Sequence, residues 1–320
     1  MFKKNPKKIL VGVFFVTLLF FYVVSIKEGA NLSSEVVYFK KGESSQEFIK
    51  DLYNRGYIKN KLSYFTVLAL LKLKKEIDYG GFSLRKNLTA VALHGSLMTP
   101  EYKYVSVVEG MRKGEIADRV GTTLGWEEKK TKEFQMEYPI CAFAGKEGYF
   151  AAGDYLIKKN AKIQSVQDTM QGEFKENLEE LGILHDENLG QIITVASLIQ
   201  REASGKSDMR LISGIIWNRL EIGMPLQIDA TLQYIKGDEK IWWPRVIPED
   251  KVLESPFNTY QNTGLPPQPI SSPGIMSIKA AINPVNTDCF FYLHDSSGNI
   301  HCSTNYKGHL NNIKRYLKSI

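Results

Sequence analysis

The uninterrupted apolar run ILVGVFFVTLLFFYVVSI, from Ile9 to Ile26, constrains this chain more than any other stretch. Its length is about that needed for a helix to cross the hydrocarbon core of a bilayer. Lys3, Lys4, Lys7 and Lys8 precede it, so the positive-inside rule leaves residues 1–8 in the cytoplasm and exports everything after Lys27. The run stays bulky to its end, and YVVSIKEGA, from Tyr22 to Ala30, offers no small-x-small cleavage site. Both features favour a retained anchor at 9–26 over a cleaved signal peptide. The rest of the chain is then expected to fold on the extracytoplasmic side of the cytoplasmic membrane.

At 320 residues, with 43% hydrophobic and 24% charged positions, the chain is long enough for two or three folded units with real cores. The formal net charge of +6 includes the four leading lysines, and without these four it is +2. That near-balance argues against a nucleic-acid partner, which calls for a concentrated basic face. Cysteine is sparse: Cys141, Cys289 and Cys302. An odd count on an exported chain leaves at least one thiol unpaired within the monomer, so disulfides are not the framework of the fold. Spacing alone does not decide whether Cys289 and Cys302 are joined.

From Glu35 to about Leu97 the pattern reads strand, helix, helix, strand, helix. EVVYFKKGESSQEFIKDLYNRGYI starts extended, turns at Gly42 and enters a helix striped with Phe48, Ile49 and Leu52, with Ser44 or Ser45 as its cap. YVSVVEGMRKGEIADRVGTTLGW, from Tyr104 to Trp126, echoes it: a strand, a turn at Gly110, and a helix with Ile116 and Val120 inward. These strand-turn-helix units resemble LysM-type modules, small folds that hold N-acetylated glycans, and residues 35–130 are read as a LysM-like region. Such units are common, and a spacer without a ligand fits the same pattern.

Residues 131–184 form a connecting region with EGYFAAGDYLI and two helical patterns, the second SVQDTMQGEFKENLEEL. A break bracketed by Gly182, His185 and Gly190 starts the last domain, 185–320. There, helices QIITVASLIQREASG and MRLISGIIWNRLEIG precede a loop-rich stretch dense in Pro, Gly, Asn and aromatic residues. A helix SIKAAIN follows. CFFYLHDSSGNIHCST reads as a hairpin turning at Ser296-Ser297-Gly298, before a closing helix from His309. Such an order specifies an α+β fold rather than a parallel α/β wheel.

In TVASLIQREASG, residues 194–205, Val195, Leu198 and Ile199 share a helical face whose next position is Glu202. A solvated charge paired with Lys206 four residues on explains Glu202 without any function. Its neighbours favour more. Asn218, Gln227 and Asp229, and then Asn258, Thr259 and Tyr260, lie in loops stiffened by proline, of the kind that bind ligands. LPPQP, Leu265 to Pro269, should hold a polyproline-like arc, a rigid wall for a groove.

Taken together, ASLIQREAS, IIWNRLEIGMPLQIDAT, SPFNTYQNTGLPPQPISSPG, SIKAAINP and CFFYLHDSSGNIHCSTNYKGHL resemble the MltG, or YceG-like, family of membrane-anchored endolytic murein transglycosylases. The resemblance spans nearly the whole chain, with anchor, LysM-like region and catalytic domain in the family's order. It implies cleavage within peptidoglycan glycan strands between N-acetylmuramic acid and N-acetylglucosamine, leaving 1,6-anhydro muramoyl ends. It also implies a role in ending strand growth beside peptidoglycan synthases. Glu202 matches the second acid of the family's ExEA/T-like motif and would be its catalytic glutamate. Gln200 stands where many relatives carry an acid, and AAGDYLI is a weaker form of the family's Pro-Asp-Thr-Tyr segment, which leaves Asp154 without a clear role.

A carboxyl on an apolar face is costly to ionise and stays partly protonated near neutral pH, as a general acid requires. Glu202 would first protonate the glycosidic oxygen, then accept the proton of the muramoyl C6 hydroxyl as that oxygen attacks C1. Ordinary glycosidases need a second carboxylate. Asp229 is the candidate for one, although an intramolecular nucleophile makes it unnecessary. Asn218, Gln227, Asp229, Asn258, Thr259 and Tyr260 are assigned to substrate binding or to support of the cleft. Trp242, Trp243 and Tyr260 are candidates for sugar stacking, with core packing the commoner role for such rings. His301 and Ser303 would help close the cleft. His294, His301, Cys302 and His309 lack the tight ligand pairs of a zinc site, so no metal or other cofactor is expected. A membrane-tethered glycan-binding scaffold and a muramidase using water are the competing readings.

Overall fold

The computed structural model describes residues 33–73, 76–86, 88–136 and 146–317. Residues 1–8, the apolar run 9–26 and Cys141 lie outside the described residues. Among the described residues no helix is long and apolar enough to cross a membrane. The chain is α+β and divides into two compact units. The first holds the described residues up to Tyr104 together with Leu156–Asn160; the second holds Val105–Tyr155 and Ala161 onward.

In the first unit the order is β1 (Glu35–Phe39), α1 (Ser45–Asn54), α2 (Lys61–Leu70), β2 (Gly80–Leu84) and α3 (Ala90–Leu97), as the sequence pattern predicts. Capping sets the helix starts. Ser44 Oγ accepts the Glu47 N–H at 3.3 Å while Glu47 Oε2 accepts the Ser44 N–H at 3.0 Å, a reciprocal capping box. Asn60 and Thr89 cap α2 and α3. β1 pairs antiparallel with β2, Val37 opposite Phe82. Alternation along β1 sends Val37 and Phe39 inward, where they meet Phe48, Leu52, Phe82, Leu84, Leu93 and Leu97. The Phe39 and Phe48 rings stack at 4.6 Å. Strands β3 (Tyr102–Val107) and β4 (Gly153–Lys158) complete a sheet of order β1-β2-β3-β4. β4 lies in the stretch that the sequence pattern leaves as a connection.

The echo of the first unit, β3 followed by α4 (Lys113–Leu124), occurs as predicted, with Ile116 and Val120 fully buried. Its residues from Val105 on cluster with the C-terminal half. Backbone pairing holds it there: Gly110 N–H donates to Ser272 O at 2.7 Å and Ser272 N–H to Met111 O at 2.8 Å. Gly114 lies flat under Trp242. A Cβ at that position would come within 2.3 Å of the indole, so the close approach requires glycine.

After α5 (Glu128–Phe134), α6 (Ile163–Glu180) buries Val166, Met170, Phe174 and Leu178 along one face. α7 (Leu189–Glu202) is the centre of the second unit, buried on every side from Ile192 to Ile199. Around it lie α8 (Met209–Glu221), α9 (Asp229–Lys236) and α10 (Ile275–Ile282). The hairpin β5 (Phe291–His294) and β6 (Ile300–Ser303) turns where predicted, with Gly298 at φ 79°. The closing helix α11 (Tyr306–Tyr316) begins three residues before His309, because Asn305 Oδ1 accepts the Gly308 N–H at 3.0 Å and fixes the start. The sequence pattern leaves α9 as loop, because it is short and sits between turn residues, and its start depends on the tertiary contacts of Thr259.

Phe48 is completely buried between two rings of the first unit. Phe48→Ala should cost about 3–5 kcal/mol of stability by removing the ring and leaving a cavity, read as a lowered denaturant midpoint for that unit.

Candidate active site

Glu202 is the last residue of α7, where a helix buried from Ile192 to Ile199 reaches a half-buried end. The register of α7 is fixed by its own polar residues. Ser197 Oγ accepts the Ile270 N–H at 3.1 Å. Gln200 Oε1 accepts from Gly274 N–H at 3.0 Å and Ser277 Oγ at 2.8 Å, which caps the start of α10. The amide thereby anchors the end of α7 to α10 without a charge.

The hairpin supplies what faces Glu202. Alternation along β5 sets Tyr292 and His294 on one side of the strand. Tyr292 Oη donates to Glu202 Oε2 at 2.7 Å. His294 Nε2 lies 2.7 Å from Asp208 Oδ2. Asp208, itself buried, accepts the N–H groups of Ser204 and Gly205 at 2.9 and 3.2 Å. The turn that follows Glu202 is thereby cinched and tied to the hairpin. Lys206, the partner that a solvated Glu202 would take, is exposed in that turn.

Burial pushes the Glu202 carboxyl above the usual carboxylate range. The Tyr292 hydroxyl and the Ala230 N–H pull it down, the Asp229 charge pushes it up, and His294 pulls it down. Tyr292 is held well above the ordinary phenol value by burial and by the Glu202 charge, so it remains a proton donor. Asp229 opens α9 and is fixed by Tyr260, whose hydroxyl donates to Asp229 Oδ1 at 2.6 Å. Burial and that bond raise the Tyr260 phenol too.

Of the residues singled out in the sequence, Glu202, Asp229 and Tyr260 come together. The others build the frame. Asn258 is fully buried: its Nδ2 donates to Lys251 O and Leu253 O at 3.1 and 2.8 Å, and its Oδ1 accepts the Tyr260 N–H at 2.9 Å. Thr259 splints the start of α9, with its carbonyl accepting the Gln227 N–H and its Oγ1 the Ile228 N–H, both at 3.0 Å. Gln227 is exposed and contributes through its backbone, held in the left-handed region at φ 51°. Asn218 Nδ2 donates to Thr287 O and Cys289 O at 2.6 and 3.1 Å, setting the entry to β5. Asp154 bonds Ser106.

Sequence reasoning missed Tyr292, Asp208 and Arg219. Arg219 is buried at the end of α8 and donates to Phe290 O and Leu226 O, both at 2.6 Å, joining the β5 entry to the α9 entry. Burial lowers its pKa while the charges of Tyr292, Tyr260 and Glu202 oppose that fall. An arginine one place beyond an amphipathic stripe was the available signal. Tyr292 carried none, since an aromatic residue in a strand reads as packing.

The remaining candidates are tied up elsewhere. Trp243 Nε1 donates to Glu115 Oε2 at 3.0 Å under the Arg201 guanidinium, and Trp242 packs on Gly114. His301 bonds Asp295 Oδ2 at 2.8 Å and stacks on Tyr316. His309 stacks on Phe291, and Ser303 Oγ donates to Asn305 O. Cys289 and Cys302 form a disulfide with Cα atoms 5.9 Å apart. Among the described residues no group of three His, Cys, Asp or Glu side chains is placed to hold a metal ion.

The proline arc lines a different place. Leu265 to Pro269, with Lys146, Glu147, Tyr149, Gln191 and Thr194, bounds a cavity of about 420 Å³ at the N-terminal end of α7. At 1.5 Å per residue, Thr194 lies about 12 Å along the helix from Glu202. Gly148, at φ 87°, lets the chain pass Pro269 where a Cβ would come within 2.5 Å. Glu147 is buried, and its Oε1 accepts the N–H groups of Lys113 and Gly148 at 2.9 and 3.2 Å, closing the start of α4. Burial outweighs these donors and raises its pKa to about 7. The folded chain therefore holds this proton to about pH 7, whereas the unfolded chain releases it near 4.5. The contribution to stability is full below about 4.5 and declines as pH rises toward 7, by roughly 3 kcal/mol at most. Glu147→Gln keeps the acceptor oxygen and should remove that decline, read as melting temperatures of the two proteins compared between pH 5 and pH 8.

Comparison with known proteins agrees with this architecture. Residues 37–315 match the YceG-like family. An endolytic murein transglycosylase of Streptococcus pneumoniae is 27% identical over 318 aligned residues, covering 87% of this chain and 58% of that protein. One of Bacillus subtilis is 36% identical over 165 residues, covering 51% of this chain and 43% of that protein. The chain thus spans little more than half the length of the curated relatives it matches. A crystal structure of a YceG-like protein from Listeria monocytogenes, 21% identical, shares the fold with a TM-score of 0.54 over 88% of this chain and 99% of that one. The family match covers nearly all of the described residues, and the chain belongs to the YceG-like family.

Proposed function

We propose that this chain is a lytic transglycosylase that cuts peptidoglycan glycan strands internally, with Glu202 as its acid and then its base. The observation that carries the reading is the Glu202 carboxyl itself: half-buried, pushed toward its protonated form by burial, and oriented by Tyr292 at 2.7 Å. The relatives named endolytic murein transglycosylase support the substrate class. Protonated Glu202 donates to the glycosidic oxygen as its bond to C1 of the muramoyl residue breaks through an oxocarbenium-like state. The muramoyl C6 hydroxyl then bonds to C1 and gives its proton to the Glu202 carboxylate. The acid is regenerated and the strand ends in a 1,6-anhydro sugar.

Tyr292 on Oε2 and the Ala230 N–H orient the carboxyl that carries the reacting proton. The buried Arg219 cation offsets the charge that Glu202 acquires after the first transfer. Asp229 keeps Glu202 protonated through like-charge repulsion, and Tyr260 holds it in place. The muramoyl hydroxyl replaces water, so no second carboxylate has to act as base.

The same reading places the chain in the cytoplasmic membrane through residues 9–26, with the site on the extracytoplasmic side. The Cys289–Cys302 disulfide supports export, because such bonds persist in oxidising compartments. The antiparallel β1 and β2 around two intervening helices support the LysM-like reading of the first unit. A role in ending strand growth beside peptidoglycan synthases follows from the family resemblance.

Glu202→Gln should abolish anhydro ends, by at least 100-fold, when the protein is incubated with glycan strands and the products are read by mass spectrometry, with its melting temperature retained. Reducing ends from the unaltered protein would mean a muramidase, and bound but uncut strands a scaffold. Activity of the unaltered protein should fall as pH rises through the raised Glu202 pKa, because the acid form is lost. Tyr292→Phe removes a donor that favours the charged form, so this alkaline limb should move to higher pH.

A further inference from the structure

Helix α2 carries an outward face without a charged residue. At about 100° per residue, Tyr64, Val67 and Leu68 turn into the core of the first unit and are buried. The opposite side consists of Leu62, Phe65, Thr66, Ala69 and Leu70, of which Leu62 is 78%, Phe65 50% and Leu70 67% exposed. Its one hydroxyl is turned back, Thr66 Oγ1 donating to Leu62 O at 2.8 Å. A helix apolar on all sides is ordinarily covered on all sides. No charged residue falls between Lys61 and Lys72, whereas Lys59 and Lys61 precede the face and Lys72, Lys74 and Lys75 follow it.

We propose that this face of α2 lies in the headgroup region of a bilayer containing anionic lipids, a second membrane contact beside the anchor at residues 9–26. Two features select a lipid surface as the occupant. The chemistry is that of an interfacial helix: apolar side chains to enter the acyl boundary and lysines at both ends to meet lipid phosphates. The chain also keeps the face within reach. Only seven residue steps separate Ile26 from Ser33, at most roughly 25 Å when fully extended. The inference thus rests on reading 9–26 as an anchor.

The test uses the full chain in vesicles of phosphatidylglycerol and phosphatidylcholine. A bimane fluorophore is placed on Leu70→Cys in a Cys141→Ser background, and vesicle flotation confirms insertion. Doxyl-labelled acyl chains should quench the probe at least two-fold more than aqueous iodide does. Replacing phosphatidylglycerol by phosphatidylcholine, or introducing Leu62→Asp with Phe65→Asp, should at least halve the lipid quenching while the chain still floats. A floating chain whose probe is quenched by iodide alone has a bare face, which overturns the inference and leaves the anchor standing. A floating chain whose probe is shielded from both quenchers has a protein on that face, and the lipid assignment falls. Quenching by lipid that ignores both the headgroup charge and the aspartates places the probe near the bilayer for another reason and overturns it as well. A chain that does not float overturns the anchor and the inference together. Far-ultraviolet circular dichroism and unchanged cleavage of glycan strands show that the aspartate variant is folded.

Discussion

The hydrogen bond from Tyr292 to Glu202 can form only because α7 is buried on every side from Ile192 to Ile199, up to its last turn. A helix with a solvent face can rotate or fray at low cost. Here Ile193, Val195, Leu198 and Ile199 are all fully buried, and the polar residues among them are each matched to a fixed backbone group. Ser197 takes the Ile270 N–H, and Gln200 takes the N–H of Gly274. Buried polar contacts of this kind specify register, since a slip would leave donors and acceptors without partners. The end of α7 is thus held, and Glu202 with it. Asn218 and Arg219 then bring the hairpin to that end by gripping the backbone at 287–290.

Two carboxyls in the second unit are raised by burial, and their surroundings give them different work. Glu147 closes the N-terminus of α4 with two backbone donors on one oxygen. Its proton is a matter of folding stability. Glu202 has a phenol and one backbone N–H, keeps partial solvent access, and has the charges of Asp229, His294 and Arg219 around it. That sets a tuned proton where solvent still reaches, the arrangement suited to general acid catalysis. Desolvation alone would not separate the two residues; the kind of hydrogen bonds, the solvent access and the surrounding charges do.

The two strand-turn-helix stretches show how little local similarity says about domain membership. Both form as expected, with comparable inward residues. Yet the second joins the C-terminal half, because Gly110 and Met111 pair with Ser272, Gly114 lies under Trp242, and Arg112 donates to Trp242 O at 3.1 Å. The first retains a separate core of Phe39, Phe48, Leu52 and Phe82.

What the sequence determined by itself was local. Apolar periodicity and caps such as Ser44 specified most helices and strands, the hairpin turn at Gly298, the α+β class and Glu202 at the end of an apolar stripe, since each depends on residues within a few positions of one another. α9 and β4 escaped because their starts are set from afar, α9 by Thr259 about thirty residues away. The tertiary structure alone decided which polar residues meet. It joined Tyr292 and His294 to the turn after Glu202, paired Cys289 with Cys302, turned Asn218, Asn258 and Thr259 into struts, and put the proline arc beside Glu147. Such pairings depend on the packing of whole elements around α7, and no spacing within the chain encodes the distance between two side chains ninety residues apart.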